Sequence, residues 1–299
     1  MKIENILVPL DGSGFGEQAL PVAISIVRRT GCGLTLVHVQ APLPFAPEGI
    51  AVKPLEEASE RYLSAVEGRL AQAEAFDFTT ELLHGPVEAV LAERIEASGV
   101  DLVVMATHGK GPFSRFWLGS VTDALIRRVT CPVLLVRPSE EDVERPGHEG
   151  FRHVLVPLDG SAAAEQVLEP ATTLGAVYDA RYTLLRVATL TIPLPLIEDP
   201  GSLVPMLEKQ EKERATTYLA QVAEPLRERG LSVETTIPSA VHPAEGILSY
   251  ATRNLVDLVA VTTQGSGGVN RGRMGSVADK VIRGSEAPVL VLKPEAASG

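Results

Sequence analysis

Cysteine is scarce in this chain. Cys32 and Cys131 are the only two in 299 residues, too few for a disulfide framework and without metal-motif spacing. Cys32 lies between two glycines and Cys131 precedes a strand-like run, so both read as idle thiols. Positive charge is outnumbered: 27 Lys and Arg against 38 Asp and Glu leave a net charge of −11. Such a chain lacks the basic face that general nucleic-acid binding needs, and anionic membranes do not attract it. No apolar run approaches the roughly 18 residues of a membrane span. MKIENILVPLDGS has no apolar core long enough for a signal peptide, so the cytoplasm is the expected compartment. The histidines, His38, His84, His108, His148, His153 and His242, show no metal-ligand clustering. No Walker GxxxxGK[ST] occurs, and no GxGxxG in strand–helix context.

What the chain does have is a stretch that occurs twice. Asp101 to Pro138 reads DLVVMATHGKGPFSRFWLGSVTDALIRRVTCPVLLVRP. Leu102 to Ala106 is an apolar run of buried-strand length. Gly109 ends it, nine residues follow, and Gly119-Ser120 opens a segment with Val121, Ala124, Leu125 and Val129 at helical spacing. Cys131-Pro132 stops the helix, and Val133 to Val136 is a second strand-like run. Asp257 to Pro294, DLVAVTTQGSGGVNRGRMGSVADKVIRGSEAPVLVLKP, repeats it, with Gly265 and Gly275-Ser276 each 156 positions after their counterparts. The loop interiors change while the spacing stays, which gives the glycines and serines a role of their own.

A helix N-terminus presents unpaired N–H groups and a positive dipole end, and so suits an anion. Gly119 lets a ligand approach the backbone. Ser120 and Ser276 either donate to a phosphate or cap their helices, since Asp123 and Asp279 complete the Ser-x-x-Asp spacing of a capping box. Both readings stand at this point.

The rest of each half follows one order. Residues 3–9 form a strand, Leu10-Asp11-Gly12-Ser13 a turn, and 17–29 a helix. A strand over 34–39, a Pro-rich loop over 41–54 and a long acidic helix over 55–75 come next. Residues 78–83 form a strand suited to a sheet edge, and Pro86 opens a helix to about 97. The second half repeats the turn as Pro157-Leu158-Asp159-Gly160-Ser161, 148 positions on, and Glu165-Gln166 repeats Glu17-Gln18 at that offset. A strand over 182–187, a Pro-rich loop over 190–205 and a helix over 207–229 follow, the helix kinked or broken at Pro225. A strand over 231–237 and a helix opening at Pro243 complete it. The acidic linker over 139–150 separates two domains, 1–138 and 151–294.

Each half is therefore a doubly wound, five-stranded parallel sheet with helices on both faces. Ligands bind such sheets beyond the carboxyl ends of the strands, where strand order reverses. The Asp11 turn and the Gly109 loop both follow strands and could meet there.

In VPLDGS at both first-strand ends, the spaced glycine loops, and the terminal strands CPVLLVRP and APVLVLKP, the chain resembles the universal stress protein family in its tandem two-domain form. The resemblance covers nearly all of the chain outside the linker and Pro-rich loops. It implies the adenine nucleotide alpha hydrolase-like fold and, for nucleotide-binding members, the pattern Gly-x-x-Gly-x9-Gly-Ser/Thr. Here that pattern is Ala106-x-x-Gly109-x9-Gly119-Ser120 and Thr262-x-x-Gly265-x9-Gly275-Ser276. The first glycine is replaced in both halves, mildly by alanine and more severely by threonine, whose branched side chain falls near the ligand. Carried over residue by residue, Asp11 and Val39 meet the adenine and ribose, while Gly109, Gly119, Ser120 and Val121 hold ribose and phosphates. Pro9, Leu10 and Ala106 complete the first set. The second is Pro157, Leu158, Asp159, Val187, Thr262, Gly265, Gly275, Ser276 and Val277.

The implied ligand is ATP, or AMP or ADP, with Mg²⁺ held by the phosphates. In the family the last strands pair domains, so Val133–Val136 and Val289–Leu292 are expected to join the halves about an internal pseudo-twofold. A homodimer and a protein partner are further expectations. Plainer readings stand beside these. Asp11 and Asp159 also suit local backbone acceptors at turns. Lys110, Arg115, Arg271 and Arg273 suit solvated loop cations as well as phosphate partners, and Phe113, Phe116 and Trp117 suit packing on the core as well as a cover over a ligand. His108 aligns with Gln264, so the loops share no acid–base group. The leading reading is a nucleotide-binding stress-response regulator that is not an efficient catalyst. The competing readings are a slow ATPase on the same fold and a nucleotide-free tandem acting through partners.

Overall fold

The apolar runs form the strands. The computed structural model describes residues 1–42, 53–73, 76–107, 118–138, 150–189, 200–265 and 274–295. Two units emerge, one built on Met1–Gly150 and one on Phe151–Leu290. In the first, β1 (Asn5–Leu10), β2 (Gly33–Gln40), β3 (Phe78–His84), β4 (Leu102–Ala106) and β5 (Val133–Val136) lie in the order β3-β2-β1-β4-β5, and the pairs are parallel. In the second, β6 (His153–Pro157), β7 (Arg181–Leu185), β8 (Val233–Thr236), β9 (Leu258–Thr262) and β10 (Val289–Leu292) lie in the order β10-β9-β6-β7-β8. Every residue of β4 and β9 is buried, as a strand covered on both faces requires. Each unit steps outward over three strands, then returns to the other side of its first. The reversal therefore lies between β1 and β4, and between β6 and β9.

One carboxylate per unit fixes that central pairing. Asp101 Oδ2 accepts from Glu4 N and Asn5 N, both at 2.9 Å. Asp257 accepts from Arg152 N at 3.0 Å and His153 N at 2.9 Å. These aspartates open the repeated stretch. They satisfy the first N–H groups of the neighbouring strand and set the registers Ile6↔Leu102 and Val154↔Leu258.

The helices depart from the sequence pattern in three places. The single helix expected over 17–29 is two, α1 (Gly14–Glu17) and α2 (Leu20–Thr30), and the second unit repeats the split as α6 (Ala162–Glu165) and α7 (Leu168–Ala176). Ser13 and Ser161 cap the short pieces, accepting from Gly16 N and Ala164 N at 3.1 Å. Pro21 and Pro170 then fall in the first turn of the longer ones, where a missing donor costs nothing. Further on, α3 (Lys53–Ala73), α4 (Val87–Ala97) and α5 (Ser120–Arg128) complete the first unit. In the second, α8 (Pro200–Glu228) starts inside the stretch read as loop to 205 and runs unbroken through Pro225. Pro200 is at a first-turn position, while Pro205 and Pro225 lie inside the helix and each forgoes its own backbone donor. Lastly come α9 (Pro243–Arg253) and α10 (Ser276–Gly284).

Burial pushes the Cys131 thiol up to about 12 and raises Cys32 as well, so neither forms a ready thiolate. Among the described residues no helix is long and apolar enough to cross a membrane.

His153 is 5% exposed at the head of β6. Its Nε2 lies 2.9 Å from Thr183 Oγ1, and its Nδ1 lies 3.1 Å from Arg181 Nη2 and 3.3 Å from Asn254 O. Burial first, then the Arg181 charge, lowers its pKa against the weaker pull of the Asn254 carbonyl and of Asp257 and Glu234. The folded state therefore holds a neutral ring. Its contribution is present above the unfolded pKa of about 6.5 and is lost as pH falls through the depressed folded value, because the unfolded chain takes up the proton first. Urea unfolding across this range should show the second unit weakening on acidification. His153→Asn, the residue at the matching position 5, should weaken less steeply, and an equal loss would refute the assignment.

The strand-head carboxylates make a second prediction. Asp101→Ala and Asp257→Ala should each cost about 1–3 kcal/mol, since each leaves two strand donors unsatisfied. Chemical denaturation of the two variants measures this, and values near zero would mean that water replaces the carboxylate.

Candidate functional site

In the second unit the site can be assembled from three backbone segments at the carboxyl ends of β6, β7 and β9. β6 leads into Leu158-Asp159-Gly160-Ser161. Gly160 has φ 90°, and Gly12 has φ 76° at the matching place, a left-handed turn that favours glycine. Asp159 Oδ1 accepts from Ser161 N at 3.0 Å and Ser161 Oγ at 2.6 Å, and Asp11 does the same with Ser13. The turn-acceptor reading therefore holds for one oxygen of each. The other oxygen of Asp159 faces the glycine loop: a β-carbon on Gly265 would collide with Oδ2. Turn and loop thus meet at this carboxylate. Gly109, its counterpart, lies outside the described residues, as do His108, Lys110, Phe113, Arg115, Phe116, Trp117, Arg271 and Arg273.

The loop after β9 is closed at its base. Gly275 N donates to Thr263 O at 2.7 Å, and Gly119 N donates to Thr107 O at 2.9 Å. This bond explains a fixed spacing around a changing interior. Thr262 is 7% exposed, and its hydroxyl donates to Gln264 O at 2.6 Å, so its extra polar atom is satisfied by its own loop. Ala106, also buried, receives on its carbonyl the Thr122 hydroxyl at 3.3 Å.

The capping-box reading is corrected. Gly119 and Gly275 are the N-caps, with extended backbones and no side-chain cap bond, and Ser120 and Ser276 are the first helical residues. The serines sit one position too late to cap. Asp123 and Asp279 instead pair with Arg127 and Arg283 one turn on, at 2.9 and 2.8 Å. Among the described residues neither serine hydroxyl has a hydrogen-bond partner. The first α10 bond is Asp279 N to Gly275 O, which leaves the N–H groups of Ser276, Val277 and Ala278 ahead of it. Gly275 has φ −63°, and a β-carbon there would make only ordinary contact, with Thr263 O at 3.5 Å. Among the described residues nothing requires glycine at 275.

The third segment is the exit of β7. The strand ends at Leu185, short of the expected 187, so Val187 lies just beyond it. Arg186 N and Ala188 N donate towards β8, to Thr236 O at 3.1 Å and Pro238 O at 3.0 Å. Strand alternation turns the intervening Val187 N–H and C=O the opposite way, towards β6. There Leu158 N bonds Leu185 O at 2.8 Å, and the chain then turns off at Asp159. Among the described residues the Val187 N–H and C=O have no partner. In the first unit Val39 lies within β2, two places beyond the Pro9↔Val37 pair. Leu10 and Leu158 are each 4% exposed and belong to the core; Pro157 ends β6 opposite Leu185. Val277, 36% exposed, faces out from the first turn of α10.

In the sequence Glu165-Gln166 stands out only as a repeat. Glu165 Oε1 accepts from Tyr218 OH at 2.9 Å, and the Gln166 side chain clamps the Glu295 backbone at 2.8 and 3.2 Å. Burial holds the Tyr218 hydroxyl well above its ordinary range. The Arg186 guanidinium covers the Tyr218 ring at 5.3 Å. In the first unit His38 lies against Tyr62 at 5.4 Å, and Arg69 holds Glu17 at 2.6 Å. A signal for these pairs exists: tyrosines 62 and 218 keep the 156-residue offset of the glycine loops, and 38 and 186 the 148-residue offset of the turns. Among the described residues no three His, Cys, Asp or Glu side chains are grouped to hold a metal.

The segments offer a donor–acceptor backbone edge, a carboxylate for hydroxyls and a helix N-terminus for an anion. These groups lie at the carboxyl ends of the strands flanking a topological switch point. The model of the universal stress protein family matches residues 2–137 and 150–293, and the chain belongs to that family in tandem form. A universal stress protein of Mycobacterium tuberculosis is 28% identical over 313 residues, 96% of this chain and 94% of its own. One from Thermus aquaticus is 34% identical over 139 residues, 45% of this chain and 98% of its own. The crystal structure of a universal stress protein from Archaeoglobus fulgidus superposes with a TM-score of 0.72 at 19% identity, covering 98% of this chain and 99% of that one.

The two glycines of the second loop should behave differently. Gly265→Ala forces a β-carbon onto Asp159 and should cost about 1–3 kcal/mol. Gly275→Ala should stay within about 0.5 kcal/mol of the parent. Urea midpoints compare them directly, and a Gly275→Ala loss as large as that of Gly265→Ala would mean that 275 is a folding glycine.

Proposed function

We propose that the chain is an adenine-nucleotide-binding stress-response regulator with one site in each domain. The observation that carries this is the unpaired Val187 backbone edge at the exit of β7, next to the β6 exit whose Asp159 carboxylate meets the loop after β9. Adenine presents an amino donor beside ring-nitrogen acceptors, the complement of a backbone C=O and N–H. Asp159 stands by for ribose hydroxyls. Ser276 and Val277 at the start of α10 suit phosphates, which take both backbone N–H groups and a hydroxyl. Gly265 and Gly275 leave the approach clear, with Pro157, Leu158 and Thr262 as the walls. The repeat carries the same roles to Pro9, Leu10, Asp11, Val39, Ala106, Gly109, Gly119, Ser120 and Val121. ATP, ADP and AMP all fit this scheme, and Mg²⁺ would ride on the phosphates of the longer two.

Efficient turnover is not part of the reading. Phosphoryl transfer needs a group that orients the attacking water. Asp159 Oδ1 is engaged by Ser161, Asp279 by Arg283, and the residue before Gly265 is a glutamine where the first loop has a histidine. Steady-state phosphate release with Mg-ATP should fall well below the median enzyme rate of roughly 10 s⁻¹.

Calorimetric titration with AMP and ATP tests the binding claim. Gly119→Val and Gly275→Val should each weaken their own site at least tenfold, about 1.4 kcal/mol, with the fold retained. Unchanged affinity in both folded variants, or no binding by the parent protein, would remove the nucleotide reading. Turnover near the median rate, abolished by Ser120→Ala or Asp11→Ala, would make the protein an enzyme.

A further inference from the structure

Arg186 touches both halves of the nucleoside end of the second site. Its backbone immediately precedes Val187. Its side chain reaches back over the β6 turn, where a β-carbon on Gly160 would lie 2.9 Å from Nη1. The guanidinium is held from outside by Glu211 at 3.3 Å and stacks on Tyr218, whose hydroxyl is tied to Glu165 on α6. Its side chain is 24% exposed. With Glu211 paired to it and Tyr218 against its face, the guanidinium is already engaged rather than held out for an anion. It is a strut.

The first unit builds the same strut from other chemistry. His38, the residue before Val39, places Nδ1 2.7 Å from Leu10 O, next to Asp11, and its ring lies against Tyr62. In both copies the residue before the valine reaches the exit of the first strand and rests on a tyrosine of the long helix. One copy uses a hydrogen bond to the backbone and the other a stacked cation. What the copies share is the place: each side chain lies between the exit of the first strand and the tyrosine of the long helix.

We infer that Arg186 is the positioning residue of the second nucleotide site, fixing the distance between the Val187 backbone edge and the Asp159 carboxylate, with His38 in that role in the first. The inference rests on the nucleotide reading above. Neither side chain touches the ligand. A ligand that bridges Val187 and Asp159 should sense a change in their spacing, whereas one held by α10 alone should not.

The test is titration of the full chain with AMP, using Gly275→Val to assign the two components of the isotherm. Arg186→Ala should weaken the second site at least tenfold and leave the first, an internal control, unchanged. Arg186→His, which installs the solution of the first unit, should restore affinity to within about threefold of the parent. Rescue by a side chain of different charge and size separates spacing from simple stability. Should Arg186→Ala fail to fold, Glu211→Gln on the open side of the guanidinium gives the same reading, with an expected loss of about threefold confined to the second site. Parent-like affinity in Arg186→Ala, or in Glu211→Gln where it stands in, overturns the inference and leaves the nucleotide reading intact. So does an Arg186→His variant as weak as Arg186→Ala. Absence of AMP binding in the parent protein overturns both.

Discussion

The carboxylate of Asp159 is constrained from two directions. One oxygen is held by the amide and hydroxyl of Ser161, which starts the short α6 helix, and the other lies where a side chain on Gly265 would go. The position of this group is therefore decided by the turn after β6 and by the loop after β9 together. Those are the two strands between which chain order reverses. A doubly wound sheet leaves a crevice there for geometric reasons. Asp257, at the opposite end of the same strand pair, sets the register that brings turn and loop level with each other.

Duplication shows which features of this arrangement are chemical and which are spatial. The Asp-x-Ser turn, the Gly N–H to Thr C=O closure and the Asp–Arg pair on the following helix recur with the same residue types. The surroundings of the tyrosine do not. His38 and Leu55 become Arg186 and Glu211, and Arg69, which holds Glu17, becomes Pro225. A half-buried ring that keeps one place accepts either a histidine ring or a guanidinium against it.

Much of the fold is legible in the order of the amino acids, because buried parallel strands are continuous apolar runs and the repeat states each of them twice. What escapes such a reading is whatever depends on a shift of one residue. Ser-x-x-Asp fits a capping box and equally fits the first and fourth residues of a helix with a glycine cap, and only the start of α5 and α10 separates the two. The split of the first helix turns on Ser13 taking the cap and Pro21 needing no partner, which periodicity does not register. At the site, Asp11, Asp159 and Gly265 are legible as residue types. The unpaired backbone edge of Val187 is not, since it depends on the chain beyond β7 keeping its bonds to the β8 side after β6 has turned away. His153 reads as one histidine among six, and its buried neutrality comes from the surroundings that β7 supplies.

The two thiols give the chain a chemical temperament. Peroxide and disulfide exchange act on thiolates, and at neutral pH a thiol with a pKa pushed up to about 12 offers almost none. Cys32, raised in the same sense and 8% exposed, adds little more. When oxidants accumulate, a sensor built on cysteine would have its state rewritten directly by the chemistry around it. Neither cysteine of this chain is placed to be such a switch.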